Sequence, residues 1–334
     1  MNPEAGSLRY RSDIEAELRS IVGYSPLSLY HMMRYHLGWV DVSGQPQSGG
    51  KLLRPSLCLL SCESVGGDWH LALPAAAAVE LVHNFSLIHD DIQDESRERR
   101  GKPTVWSVWG QPQAINTGDA MHTLARLALL RLEGKGVAPG KILSAVRLLD
   151  ETCLRLCEGQ YLDMSYEERL DISIADYLEM ISLKTAALFE CSLKLGALLG
   201  TDDERVIEGM GRFGNNLGLA FQIQDDVLGI WGEDESAGDL LKKKKTLPVI
   251  YGIQRAEPEQ RAGLLHIYGE ERIVERDIVR VVEVLDGLGA RRYASDVAGQ
   301  YCQRALAELE EASICPSAKD QLRSLAQFML EREY

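Results

Sequence analysis

Apolar residues recur every three or four positions along almost the whole chain, as in IEAELRSIV (14–22) and VELVHNFSLIHDDI (79–92). That period is the α-helix's; a half-buried strand would alternate with a period of two. No run rich in Val, Ile, Tyr and Thr shows that alternation, so the expected fold class is all-α. Several stretches, 183–199 among them, are apolar nearly all round, as suits helices buried at the centre of a bundle. Capping signatures punctuate the pattern at Ser12 with Glu15 and at Thr201 with Glu204. Breakers cluster at SGQPQSGG (43–50), RGKP (100–103), GKGVAPG (134–140) and GEDESAG (232–238). None is long or polar enough for an interdomain linker, so residues 1–334 are expected to form one large helical domain.

Charge narrows the choice of partner. The chain has 36 Lys and Arg against 50 Asp and Glu, a formal net charge of −14. A nucleic-acid binder needs a basic footprint, so that class is excluded as an expectation. Small phosphorylated substrates stay open, because a divalent cation can sit between acids and phosphate. The N-terminal MNPEAGSLRYRSDIEAELRS lacks the apolar core of a signal peptide. The richest apolar stretch, LALPAAAAVELV (71–82), is short and holds Pro74, so no membrane span is expected. Seven cysteines, at 58, 62, 153, 157, 191, 302 and 315, form no CxxC pair. They read as reduced, small apolar residues and point to a cytoplasmic protein.

Two acidic clusters end apolar helical runs. In Asp90-Asp91-Ile92-Gln93-Asp94, at about 100° per residue, Asp91 lies ~100° and Asp94 ~40° from Asp90, with His83 at ~20°. Three carboxylates in one arc repel unless a cation separates them. Hard oxygen ligands suit Mg²⁺, which keeps some waters and bridges to phosphates. The second cluster is Phe221-Gln222-Ile223-Gln224-Asp225-Asp226, where Asp226 lies ~100° and Gln222 ~60° from Asp225.

Basic groups answer them. Gly49-Gly50-Lys51-Leu52-Leu53-Arg54-Pro55 opens a helix from a glycine-rich loop, with Lys51 and Arg54 on one face. A helix N-terminus with two cations is a diphosphate site in outline. Arg97-Glu98-Arg99-Arg100-Gly101-Lys102-Pro103 follows the first acidic cluster, and Lys242 to Lys245 follow the second. Lys184-Thr185 lies inside an apolar helix, where an unpaired lysine is costly.

GGKLLRP (49–55), HNFSLIHDDIQD (83–94), RRGKPT (99–104), GQYLDM (159–164), KT (184–185), FQIQDD (221–226) and KKKKTLP (242–248), in that order, resemble the trans-isoprenyl diphosphate synthases. The resemblance implies an all-α bundle around a deep cavity, a homodimer, and three Mg²⁺ ions. It implies condensation of an allylic diphosphate with isopentenyl diphosphate. By the same resemblance Asp90, Asp91, Asp94, Asp225 and Asp226 are metal ligands. Lys51, Arg54, His83 and Arg100 hold isopentenyl diphosphate. Arg99, Lys184, Thr185, Gln222 and Lys244 hold the allylic diphosphate or favour its ionisation. The family sets product length with residues just before the first motif, here Phe85 and Ser86. A lone aromatic at Phe85 resembles enzymes that make geranylgeranyl diphosphate; farnesyl and longer products stay open.

Two departures matter. The second motif's usual third aspartate is Gly229, and the stretch GEDESAGD (232–239) is short and lacks the usual Gly-Lys pair. Asp225, Gly229 and Glu233 have the spacing of class I terpene cyclase metal ligands, which leaves a cyclase as an alternative; a non-catalytic helical partner subunit is a third.

Overall fold

A computed structural model describes residues 9–47, 50, 52–167, 169–232, 238–270 and 273–331. Its elements are α1 (Arg11–Val22), α2 (Ser28–His36), α3 (Leu53–Ser64), α4 (Leu73–Gln93), β1 (Glu98–Arg99), β2 (Lys102–Pro103), α5 (Val105–Trp109), α6 (Gln111–Leu130) and α7 (Pro139–Glu167). There follow α8 (Ile174–Ile181), a π-helical turn (Ser182–Ala186), α9 (Ala187–Gly200), α10 (Glu204–Trp231), α11 (Gly238–Leu241), α12 (Leu247–Arg255) and α13 (Pro258–Gly269). α14 (Glu275–Gly287), α15 (Ala290–Glu311) and α16 (Pro316–Glu331) complete the chain. The all-α expectation holds, with one two-stranded hairpin too short to leave a periodic signal.

The chain divides into two compact units. The first comprises Met1–Leu154, Cys191–Gly211 and Ala312–Leu322; the second comprises Arg155–Glu190, Arg212–Glu311 and Arg323–Tyr334.

In the first unit α4 is the central helix. Pro74 stands in its first turn, where a missing N–H costs nothing, so the proline that interrupts the apolar run is the helix's start. Every residue from Leu73 to Val82 is buried, and the Ala75–Ala78 run lets α4 pack closely on α3 and α6. α4 ends at Asp94, whose N–H donates to Asp90 O at 2.8 Å. The chain then reverses through the hairpin, where Arg99 faces Lys102. Arg100 and Gly101 both take positive φ, 53° and 69°, the backbone of a type I′ turn. Tyr35 OH donates to Pro103 O at 2.7 Å and Trp106 Nε1 to Ser96 O at 2.8 Å, tying the hairpin to α2 and α5.

In the second unit, Tyr177, Met180, Ile223, Leu247, Ala294 and Ala298 share one core. α15 contributes Ala290, Ala294, Ala298, Cys302, Ala305 and Leu309, one stripe at helical spacing. A second core gathers Ile230, Leu240, Val249, Leu264, Tyr268 and Leu285.

Two details differ from expectation. Tyr10, not Ser12, caps α1, and it does so without a side-chain bond. At α10 the cap is Asp203, whose Oδ1 accepts from Arg205 N at 2.9 Å; Thr201 Oγ1 accepts from Asp203 N one step earlier. All seven cysteines are free thiols, five of them buried. Among the described residues no helix is long and apolar enough to cross a membrane.

Candidate functional site

The first acidic cluster is built at the C-terminal end of α4. Asp91 is 2 % exposed. Arg99, delivered by the hairpin, donates from Nε to Asp91 Oδ1 at 2.7 Å and from Nη2 to Asp90 Oδ2 at 3.0 Å. Burial disfavours the Arg99 charge, but the two aspartates outweigh it and hold its pKa up. Asp94 is half-buried, one turn after Asp90.

The basic group lies in the same unit. Arg54 Nη1 stands 3.4 Å from His83 Nε2. Burial, then Arg54, Arg100 and Arg99, push His83 well below the usual histidine range. His36, at the end of α2, is likewise driven down, to about 3, by burial with Arg99 and Arg100 beside it. Arg100 itself is exposed. Gly50 approaches its guanidinium, with a Cβ position 3.8 Å from Nη1. Lys51 and Gly49 lie outside the described residues. A fold that keeps two imidazoles neutral among guanidiniums concentrates positive potential, which is what an incoming polyanion needs.

Phe85 and Ser86 occupy the turn before the aspartates. The Phe85 ring rests on His122 at 4.8 Å and His89 at 5.9 Å between centroids. Ser86 Oγ donates to His83 O at 2.8 Å.

The second unit carries the other set. Lys184 and Thr185 sit in the π turn Ser182–Ala186, a helix irregularity common at functional sites. Gly159 makes room for that turn, since a Cβ there would come within 2.3 Å of Lys184 N. Lys184 Nζ donates to Asp163 Oδ2 at 2.5 Å. Thr185 Oγ1 donates to Gln222 Oε1 at 2.8 Å, and Gln222 Nε2 donates to Asp226 Oδ1 at 2.9 Å. Asp226 Oδ2 accepts from Tyr177 OH at 2.5 Å and from Leu247 N at 3.2 Å. Burial pushes Asp226 up to about 7; the Tyr177 and Gln222 bonds oppose this and Asp239 adds to it. Its neighbour Asp225 is exposed. Lys244 Nζ pairs with Asp239 Oδ1 at 3.0 Å.

The chemistry of these donors can be tested against Mg²⁺. Among the described residues no three carboxylate, imidazole or thiol groups converge into a cage. Mg²⁺ uses one or two carboxylates, keeps several waters and completes its shell with substrate phosphates, so paired aspartates such as Asp90 and Asp91 fit that ion. Asp226 differs, because its oxygens are engaged by three internal donors.

Sequence reading overlooked several contributors. Gly159 and Asp163 are inside the GQYLDM motif but carried no assigned role. Tyr177 lies seven residues before Lys184, two helical turns back along the same run, the one local signal available. His36 and Asp239 have no sequence signal; only the fold brings His36 to Arg100. Glu233, Asp234 and Glu235 lie outside the described residues.

Residues 42–285 match the family model described as Polyprenyl synthetase. The chain is 38 % identical to geranylgeranyl diphosphate synthase of Mycobacterium tuberculosis over 333 residues, covering 97 % of this chain and 93 % of that one. It is 37 % identical to (2E,6E)-farnesyl diphosphate synthase of the same organism over 312 residues, covering 90 % and 86 %. The crystal structure of geranylgeranyl pyrophosphate synthetase from Pyrococcus horikoshii superposes with a TM-score of 0.89 at 35 % identity, covering 99 % of this chain and 98 % of that one. With a family match over most of its length and relatives covered nearly end to end, this chain belongs to the polyprenyl synthetase family.

Proposed function

We propose that this protein is a Mg²⁺-dependent prenyltransferase that condenses isopentenyl diphosphate with an allylic diphosphate to a linear trans-prenyl diphosphate, geranylgeranyl diphosphate (C20). The observation that carries the reading is the Arg99 bridge to Asp90 and Asp91 in the same unit that holds Arg54 beside His83.

Each substrate diphosphate has its own set of groups. Arg54, His83 and Arg100, with Lys51, bind isopentenyl diphosphate and fix its double bond for attack. Arg99, Lys184, Thr185, Gln222 and Lys244 hold the allylic diphosphate or favour its ionisation. Breaking the allylic C–O bond puts charge on the leaving diphosphate, and these fixed cations stabilise it as it develops. Asp90, Asp91 and Asp94 would hold metal in the first unit, and Asp225 and Asp226 in the second; in the present arrangement Asp226 accepts from Tyr177, Gln222 and Leu247 N. When bound, Mg²⁺ neutralises further charge on the diphosphates. The carbocation adds to isopentenyl diphosphate and a proton is then lost; the departing diphosphate is base enough to take it.

Phe85, lodged against His122, limits the growing chain. Farnesyl diphosphate is the product if that floor is higher, and a longer chain if it is lower. The protein acts as a homodimer through the exposed apolar side chains Ile115, Leu127 and Leu130 on α6 and Leu143 and Leu154 on α7. Light scattering of the purified protein tests the dimer.

The decisive experiment supplies labelled isopentenyl diphosphate with a C5, C10 or C15 allylic diphosphate and Mg²⁺, then chromatographs the products. Elongated linear diphosphates, ending at C20, are expected. A cyclic hydrocarbon formed without isopentenyl diphosphate would mean a cyclase, and inert protein would mean a partner subunit.

A further inference from the structure

Residue 229 is one helical turn beyond Asp225 on the same face of α10, and it is glycine. A Cβ built there would come within 2.1 Å of Asp239 Oδ2 and 2.8 Å of Asp239 Cγ. The Asp239 carboxylate therefore lies against the bare helix backbone, where any side chain at 229 would stand. From that seat Asp239 Oδ1 accepts from Lys244 Nζ at 3.0 Å. The main chain repeats the link, since Lys244 N donates to Asp239 O at 3.0 Å.

Neighbouring Lys243 is turned away. It takes a left-handed φ of 56° and donates to Glu270 O at 2.6 Å. The sequence shows four consecutive lysines; the fold singles out Lys244 and fastens it at both ends. Burial disfavours its charge, but Asp239 outweighs that and raises it to about 12, so Lys244 is a permanent cation. Its side chain stays half-exposed while that of Asp239 is 17 % exposed, so the carboxylate is the buried base of the pair. An ammonium has three donors, and the bond to Asp239 uses one.

We propose that Asp239, seated over Gly229, is the positioning residue that presents Lys244 to the allylic diphosphate, and that glycine at 229 exists to provide that seat. The inference rests on the reading of Lys244 as a diphosphate-binding cation. It gives the glycine at 229 a role: a side chain there would displace the Asp239 carboxylate from this seat. It also supplies a held cation next to the shortened 232–239 stretch. A half-exposed lysine without its carboxylate would sample many rotamers, and fixing it at binding would cost affinity.

The test is a mutant cycle in the full-length protein. Asp239→Asn keeps shape and removes charge; Gly229→Ala removes the seat; Lys244→Ala removes the cation. Asp239→Asn and Gly229→Ala should each raise KM for the allylic diphosphate about tenfold, equivalent to ~1.4 kcal/mol, and leave KM for isopentenyl diphosphate unchanged. In a Lys244→Ala background neither should add a further effect. Additive effects, or an equal rise in both KM values, would overturn the proposal. If Gly229→Ala does not fold, the Asp239→Asn and Lys244→Ala pair decides alone. Should the wild type make no prenyl diphosphate, the functional reading falls. Calorimetric titration of the same variants with inorganic diphosphate and Mg²⁺ then decides the role of Asp239: weaker binding in Asp239→Asn supports it and unchanged binding refutes it.

Discussion

Arg99 Nε donates to Asp91 Oδ1 at 2.7 Å, so the first acidic motif carries a covalently attached counter-ion. A divalent cation must compete with that guanidinium for the same oxygens. Arg99→Gln should therefore bind Mn²⁺ more tightly than wild type in the absence of substrate, by electron paramagnetic resonance titration. Turnover should fall by about 10²- to 10³-fold, as when a charge-stabilising donor is removed. Unchanged Mn²⁺ affinity would show that Arg99 and the metal do not share Asp90 and Asp91.

Tyr177 makes the complementary case, in which the partner of an aspartate is neutral. Asp226 is buried with a folded pKa of about 7, raised by burial above its unfolded value. A raised carboxyl contributes stability that is fully present below the unfolded pKa and is lost as pH rises through about 7. Tyr177→Phe removes one donor to the ionised form, so its cost is felt when Asp226 is charged. Urea unfolding should show a loss of about 1–3 kcal/mol at pH 8 and a smaller loss at pH 5. Equal losses at the two pH values would mean that the phenol does not serve the carboxylate.

What the sequence made legible follows from the range of each interaction. Asp90, Asp91, Asp94 and His83 could be placed on one face because helical geometry is local; His83, Asp90 and Asp91 do lie in α4, and Asp94 is its C-cap. Lys184 and Thr185 could be placed in a helical run, but not in a π turn that lies against Gly159 of another helix, a contact no local pattern reveals. Ser12 followed the capping pattern and failed, because α1 begins at Arg11 and is capped by Tyr10. His36 stayed invisible because only folding brings it to Arg99 and Arg100, and Tyr177 because its partner Asp226 is 49 residues away; Asp239 is close to Lys244 in sequence, but nothing in the local pattern marks the pair. Gly229 could be read only as a missing acid until Asp239 was seen to fill its place.

Phe85 lies on α4 about 140° from Asp90 by helix geometry, yet its position is set by what it touches. Its ring is 8 % exposed and rests on His122 at 4.8 Å. Truncating either ring opens the same space. Phe85→Ala should shift products beyond C20, and His122→Ala should do so too, with the double variant giving the longest chains. Chromatography of the dephosphorylated prenols measures this. A product profile unchanged in Phe85→Ala would place the floor elsewhere.

Lys245 gives a prediction about stability alone. It is 8 % exposed, its Nζ has no hydrogen-bond partner among the described residues, and it lies 4.7 Å from the Tyr268 ring centroid. Burial, then Lys243, lowers its pKa to about 8, and Glu167 opposes the shift. For a base whose folded pKa lies below the unfolded one, stability falls as pH drops from the unfolded value toward about 8 and stays low beneath it. Methionine keeps the length of the side chain and needs no partner. Lys245→Met should therefore melt higher than wild type at pH 7, and the gain should shrink as pH rises toward 10, where the wild-type amine is neutral. Thermal melts from pH 7 to 10 measure this. A Lys245→Met variant that is less stable at pH 7 would show that the Tyr268 ring compensates the buried charge in full.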